Sequence, residues 1–293
     1  ASCRSRRLRQ QRQWGEDEGS YETTNRVTTI REKTRQKICR ISIVALLFRR
    51  FVASLPMFYD TVIFDAAGTL LGRETPDYFE EFFVIAAREV GHTITLEQVK
   101  AAMGRLLDHP GRRRQKDRMS TPDQARRFWV KLYGSVLNEA GVNGDLKRGL
   151  EQFYDRFQEG RFLEVYSDVR PTLDTLSAHG IRLGLLSNWS EHLTDILDRF
   201  DLSNYFAFTV ISAEVGCEKP DGRIFDITMS RADTPYDRIL YIGDHPEEDI
   251  HPAQRIGVDA LLIDRYDKHT RYRLPSIRQL TDIPRYVGIE NGG

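Results

Sequence analysis

The sequence predicts an α/β protein: a parallel β-sheet flanked by helices, with a long and mostly helical segment inserted after the first strand. Three observations predict it. Short runs that are apolar throughout recur between Tyr59 and Ile263, as strands buried on both faces require. After Tyr166 these runs alternate with helical stretches of about ten residues, the pattern of parallel strands joined by right-handed crossovers. Between residues 73 and 165 strand signals are scarce and apolar residues follow helical spacing instead.

The first strand is Thr61-Val62-Ile63-Phe64, ending at Asp65. In the helical segment, Tyr78, Phe79, Phe82, Phe83, Ile85 and Ala86 form one stripe, and Phe128, Leu132, Val136 and Leu137 another, each matching the 3.6-residue period. Gly91, Pro110-Gly111, Gly141 and Gly144 punctuate it, and Arg112-Arg113-Arg114 reads as a solvated charge run. Phe82, Phe128 and Trp129 could line a pocket, but their spacing assigns them first to the core of this segment. A helix over 172–179 is closed by Gly180, a C-cap signal. A strand over 181–186, a helix over 191–200, a strand over 206–211 and a helix over 221–231 follow. The series ends with a strand over 238–242, a helix over 247–256 and a strand over 260–263.

Composition narrows the function classes. Charged residues make up 29% of the 293 and hydrophobic ones 40%, a folded rather than a disordered chain. The formal net charge is zero, but residues 1–56 carry 13 Lys/Arg against 5 Asp/Glu, leaving 57–293 net acidic. No basic nucleic-acid surface is expected on the main body. Cys3, Cys39 and Cys217 are too few for a disulfide scaffold and lack metal-ligand spacing. The longest uncharged apolar run, 41–48, is far too short to span a bilayer. Residues 1–56 are expected to be a disordered basic tail, or a translated upstream stretch with the natural start at Met57. Arg49-Arg50 spoil a secretory signal and Glu16-Asp17-Glu18 argue against a mitochondrial presequence. The default expectation for location is the cytoplasm.

In open parallel sheets, ligands bind outside the carboxyl ends of the strands, so the residues there carry the chemistry. They are Asp65-Ala66-Ala67-Gly68-Thr69, then Ser187-Asn188-Trp189, then Glu218-Lys219-Pro220-Asp221, then Gly243-Asp244-His245-Pro246-Glu247-Glu248-Asp249. Singly, each has a plain reading. Asp65 could form a turn, Ser187 or Asn188 could cap a helix, Lys219 could be solvated, and Asp244 could favour a helix dipole. Together they have another. Asp65 is a nucleophilic carboxylate on a rigid strand. Ser187 and Asn188 make a phosphate cradle at a helix N-terminus, with Trp189 beside it as a pocket wall. Lys219 neutralises nucleophile and phosphoryl group, and the crowded carboxylates want a divalent cation.

In this order the motifs resemble those of the haloacid dehalogenase-like hydrolase superfamily, over about residues 57–290. The resemblance implies a Rossmann-like parallel sheet core, residues 57–72 and 166–290, with an inserted α-helical cap domain, residues 73–165. It implies that Asp65 attacks the substrate and that Ser187 and Lys219 bind the transferring group. It implies that Asp244 and Asp249 hold Mg²⁺, with Asp65 and the Ala67 backbone carbonyl completing the set. Gly68 and Thr69 match the rest of the first motif. The expected substrate is a small phosphorylated metabolite, with no nucleic-acid or membrane partner.

The chain departs from the pattern at one position. Phosphatases of this family carry a second Asp two residues after the nucleophile, as proton donor and then base; here that residue is Ala67. Glu74 and His245 are stand-ins by proximity, though His245 also reads as a helix-cap neighbour. Three readings follow. One is a Mg²⁺-dependent phosphatase with another proton donor or with good leaving groups. Another is carbon–phosphorus or carbon–halogen cleavage, the former needing a Schiff-base lysine such as Lys100, Lys116 or Lys131. The third is a weak or inactive member that binds a ligand or protein.

Overall fold

The computed structural model describes residues 59–107 and 121–289. The expectations for residues 1–56, Met57, Pro110-Gly111, the arginine run and Lys116 lie outside the described residues.

Strand β1 (Thr61–Phe64) is wholly buried. The chain leaves it through a tight loop into β2 (Leu71–Gly72) and then runs through α1 (Tyr78–Glu89), α2 (Leu96–Leu107), α3 (Pro122–Glu139) and α4 (Lys147–Gln158). It returns in β3 (Glu164–Val165), which pairs antiparallel with β2 through Leu71–Val165 and Gly72–Glu164. Entry to and exit from the helical segment therefore lie side by side. There follow α5 (Val169–Ala178), β4 (Arg182–Ser187), α6 (Leu193–Arg199), β5 (Phe208–Ile211), α7 (Ser212–Val215) and α8 (Gly222–Ala232). The chain ends with β6 (Ile239–Gly243), α9 (His251–Arg255), β7 (Asp259–Ile263), β8 (Ser276–Ile277) and α10 (Ile283–Tyr286).

Among the described residues six strands form one parallel sheet in the order β5-β4-β1-β6-β7-β8. Thr61 is in register with both Arg182 and Ile239, and Phe64 with both Leu185 and Ile242. The two-residue period of each strand deals its side chains to two cores. Val62, Phe64, Leu183, Leu185, Leu240 and Ile242 face one, packed against α5 and α6. Ile63, Leu186, Ile239, Tyr241 and Leu262 face the other, packed against α8 and α9. After β5 the chain crosses back to β6 on the far side of β1. That reversal opens a crevice at the carboxyl ends of β4, β1 and β6, where ligands are bound in such sheets.

The helical segment has its own core: Phe83, Ala86, Ala87, Val99, Tyr133, Val136, Leu137, Leu150 and Phe153. Ring pairs Phe83–Tyr133 at 5.1 Å and Tyr133–Phe153 at 5.0 Å tie α1, α3 and α4 together. Thr121 Oγ1 accepts from the Gln124 N–H at 3.3 Å with Pro122 next to it, which fixes the start of α3. The expected first stripe divides. Phe83 and Ala86 face this core, while Phe82 belongs to the core of the sheet and packs edge-on to Phe157 at 4.8 Å. Phe82 is thus a junction residue rather than helical-segment core.

The helix expected over 247–256 is two elements. Pro246–Ile250 forms one turn of π-helix and His251–Arg255 a short α-helix. Pro252 has no N–H to give to the preceding turn, and a wider turn takes up the break. Among the described residues no helix is long and apolar enough to cross a membrane.

Candidate active site

Asp65 follows directly on β1, and its N–H donates to the Ile242 carbonyl of β6 at 2.8 Å. The loop after it closes on itself: the Leu70 and Leu71 N–H groups both reach the Ala66 carbonyl, and Gly68 turns at φ +82°. A Cβ at Gly68 would stand 2.0 Å from Asp244 Oδ2 and 2.9 Å from the Tyr78 hydroxyl. Glycine here allows close approach as well as a left-handed turn. Gly243 likewise lets Asp249 come close, its Cγ 2.4 Å from where a Cβ would stand.

Lys219 Nζ is the hub. It donates to Asp65 Oδ1 and to Asp249 Oδ1, each at 2.6 Å, and lies 3.4 Å from the Tyr241 hydroxyl. All three side chains of this ion triad are almost entirely buried. Asp249 is fully used: Tyr241 donates to its Oδ1 at 2.9 Å and the His245 N–H to its Oδ2 at 2.9 Å. Asn188 sets the lysine from behind. Its Oδ1 accepts the Lys219 N–H at 2.7 Å and its Nδ2 donates to the Lys219 carbonyl at 3.0 Å. Asn188 therefore holds the Lys219 backbone, and it also lines the cavity beside Ser187. Ser187 ends β4 with its Oγ buried and without a partner, and Thr69 Oγ1 is in the same condition.

Asp65, Asp244 and Asp249 each present a carboxylate oxygen within 4.8 Å of the others. Lys219 balances only one of three negative charges. Burial, reinforced by the charge of Asp249 and opposed by Lys219, pushes the Asp65 carboxyl up to about 7. Burial and the charges of Asp65 and Asp249 hold Asp244 well above the ordinary carboxylate range. For Lys219, burial works to lower the pKa but Asp249 and Asp65 outweigh it and raise it well above the usual lysine value. A hard divalent cation with oxygen ligands suits this donor set. Asp65 has one donor, Lys219, and Asp244 one, Tyr78, whereas Asp249 accepts from Lys219, Tyr241 and His245.

These groups open into a cavity of about 630 Å³, lined also by Ala67, Trp189, Tyr78, Glu80 and residues of the loop after β7. Trp189 stacks on Phe157 of α4 at 5.6 Å, and its backbone N–H donates to Ser212 Oγ at 3.1 Å, so it joins the sheet to the helical segment as well as walling the cavity. Trp129 lines it too, and Phe128 packs edge-on to Trp129 at 5.4 Å. The stand-ins for the missing acid fare differently. Glu74 is exposed, binds the Ser167 N–H at 2.7 Å and lies off the cavity wall. His245 lines the cavity, but its Nδ1 accepts from the Glu248 N–H at 3.2 Å, the cap role.

Sequence reasoning misses several residues. Tyr241 is one, although a tyrosine inside an otherwise aliphatic strand is a visible signal. Tyr78 donates to Asp244 Oδ2 at 3.3 Å from the first turn of α1. Arg265 clasps Asp168 at 2.7 and 3.0 Å, donates to the Thr69 carbonyl at 2.9 Å and lies 4.0 Å over the Tyr166 ring. It thereby fixes the loop after Asp65 to the sheet and to β3. No sequence spacing announces it.

The family model for haloacid dehalogenase-like hydrolases matches residues 62–263, more than half of the chain, including Asp65, Ser187, Lys219, Asp244 and Asp249. The chain belongs to that family. Among curated relatives, haloacid dehalogenase-like hydrolase domain-containing protein 3 of Danio rerio is 26% identical over 236 residues, covering 76% of this chain and 94% of that protein. A phosphoserine phosphatase of Thermus thermophilus is 30% identical over 139 residues, 47% of this chain and 55% of its own length. Among solved structures, a HAD phosphatase from Thermococcus onnurineus superposes with a TM-score of 0.53 at 25% identity, covering 79% of this chain and 99% of the other. Magnesium-bound YfnB from Bacillus subtilis shares the fold at a TM-score of 0.60 and 20% identity, over 79% and 100% of the two chains.

Proposed function

We propose that this member of the family is a Mg²⁺-dependent phosphohydrolase acting on a small phosphorylated metabolite, with Asp65 as nucleophile. The observation that carries the reading is the buried triad: a lysine 2.6 Å from each of two carboxylates, one of them directly after the central strand. Relatives that are phosphatases, in Thermus thermophilus and Methanopyrus kandleri, support it. Asp65, Asp244 and the Ala67 carbonyl would hold Mg²⁺, with Asp249 behind them. Bound there, the ion would neutralise the carboxylates and draw phosphoryl oxygens toward Asp65.

In the first step an Asp65 oxygen attacks phosphorus and the leaving oxygen departs with the bond's electron pair, giving an aspartyl-phosphate. Lys219 offsets the growing charge, and the Ser187 hydroxyl donates to a phosphoryl oxygen, the partner it lacks within the protein. Gly68 and Thr69 shape the approach. In the second step water displaces the phosphoryl group and returns Asp65. The helices of residues 73–165 would act as a cap on the core of 57–72 and 166–290, excluding water during the first step.

The Ala67 methyl cannot move a proton. A positioned acid contributes about 10²–10⁴-fold, roughly 3–5 kcal/mol of barrier. Substrates whose leaving group needs no proton, acyl and aryl phosphates, should therefore turn over ahead of alkyl phosphates. The carbon–phosphorus reading lacks its lysine among the described residues of the helical segment: Lys100 is held by Asp77 at 2.8 Å and Lys131 is exposed away from this cavity. The test is phosphate release by the full chain with Mg²⁺ over acyl, aryl and alkyl phosphates. Turnover in that order is expected; release from none of them would overturn the proposal.

A further inference from the structure

Asp244 is a residue of the sheet held by the helical segment. It follows β6 directly, yet its donor is Tyr78, the first residue of α1, whose hydroxyl lies 3.3 Å from Asp244 Oδ2. The two groups share the space that Gly68 leaves open: a Cβ there would stand 2.0 Å from that Oδ2 and 2.9 Å from the Tyr78 hydroxyl. The tyrosine ring is itself fixed by two elements. Phe82, one turn further along α1 and part of the sheet's core, meets it edge-on at 6.3 Å. Lys268 Nζ, on the loop after β7, lies 5.8 Å over its face. Asp244 needs such a hold. Asp65 and Asp249 each present a carboxylate oxygen within 4.8 Å of its own, and the buried Lys219 ammonium is bound to those two. Like charges at this range repel, so a carboxylate without a donor would turn away from the others. Partners that orient a metal ligand in this way govern the affinity of the site.

We propose that Tyr78 is the positioning residue for Asp244, so that the seating of the helical segment and the binding of Mg²⁺ are coupled. Tyr78 touches no reacting atom and acts through Asp244. This rests on the reading in which Asp244 holds Mg²⁺. Coupling is reciprocal: what the hydroxyl lends to ion binding, the bound ion returns as added order at the start of α1.

The test is Tyr78→Phe in the full chain, which removes the hydroxyl and keeps the ring with its contacts to Phe82 and Lys268. Calorimetry with Mg²⁺ and no substrate should show weaker binding. Such orienting partners are worth about 10–100-fold in metal affinity, and 3.3 Å is long for an O–H···O bond, so a loss of about 10-fold is expected. Hydrogen exchange reads the reverse direction. In the wild-type chain Mg²⁺ should slow exchange of the amides that open α1, such as Glu81, whose N–H bonds the Asp77 carbonyl at 2.9 Å; in Tyr78→Phe that slowing should be lost. A purely structural role would instead lower the thermal midpoint equally with and without Mg²⁺ and leave the affinity unchanged. Wild-type Mg²⁺ affinity in Tyr78→Phe, or no slowing of α1 by Mg²⁺ in the wild-type chain, would overturn the coupling. A chain that binds Mg²⁺ but releases phosphate from no substrate would defeat the phosphohydrolase reading alone, and the binding comparison would still decide the role of Tyr78. A wild-type chain that binds no Mg²⁺ would overturn both.

Discussion

Replacing Gly68 with alanine tests the site's construction at the point where fold and chemistry touch. Two costs arise. At φ +82° an L side chain loses about 1–2 kcal/mol to backbone strain. The new methyl would also stand 2.0 Å from Asp244 Oδ2, against an ordinary contact of roughly 3.5–4.0 Å. Asp244 must therefore retreat by more than about 1 Å, a displacement that typically costs on the order of 10²-fold in rate. Gly91 separates the two costs. It has nearly the same φ, +83°, but a Cβ there meets nothing within 4 Å. Gly91→Ala should lower the thermal midpoint as Gly68→Ala does, yet keep Mg²⁺ affinity and acetyl phosphate turnover. Gly68→Ala should weaken Mg²⁺ binding by calorimetry and cut turnover about 10²-fold. If the two variants behave alike in Mg²⁺ affinity and rate, the placement of Asp244 against the turn is wrong.

Three further outcomes are expected. Lys219→Met leaves Asp65 and Asp249 buried without their cation, so denaturant unfolding should show a loss of about 3–5 kcal/mol, and Mg²⁺ should recover part of it. Ala67→Asp restores a proton donor, and alkyl phosphate turnover should rise toward the about 10²–10⁴-fold that such a group contributes, measured by phosphate release. Without metal, Asp65 is raised to about 7 and Asp244 is raised well above its ordinary value, so the fold favours their protonated forms. Their contribution to stability is then greatest below the unfolded carboxyl value and is lost as pH rises through about 7. Mg²⁺ binds the ionised forms, and the gap between thermal midpoints with and without it should widen from pH 5 to 8. A gap independent of pH would contradict that assignment.

What is legible in the sequence follows from local physics. Strands β1, β4 and β6 are apolar runs buried on both faces, and their carboxyl ends name Asp65, Ser187 and Asp244 directly. Lys219 can be placed because a loop and a helix start follow β5 in order. The two-residue strands β2, β3 and β8 carry no periodicity and cannot be read. The split at Pro252 needs backbone geometry. The bonds from Asn188 to the backbone of Lys219, 31 residues away, cannot be read from sequence, because a side chain that pairs with distant backbone looks the same there as one that faces a ligand. Tyr78 and Arg265 matter through what the fold brings beside them.

The most direct test of the central claim is to identify the atom that carries the phosphoryl group. The full chain with Mg²⁺ and acetyl phosphate, quenched in acid and mapped by mass spectrometry, should carry one phosphoryl adduct, on Asp65, and none in the Asp65→Asn variant. Phosphate release with the adduct on another residue, or undiminished release by Asp65→Asn, would contradict the account.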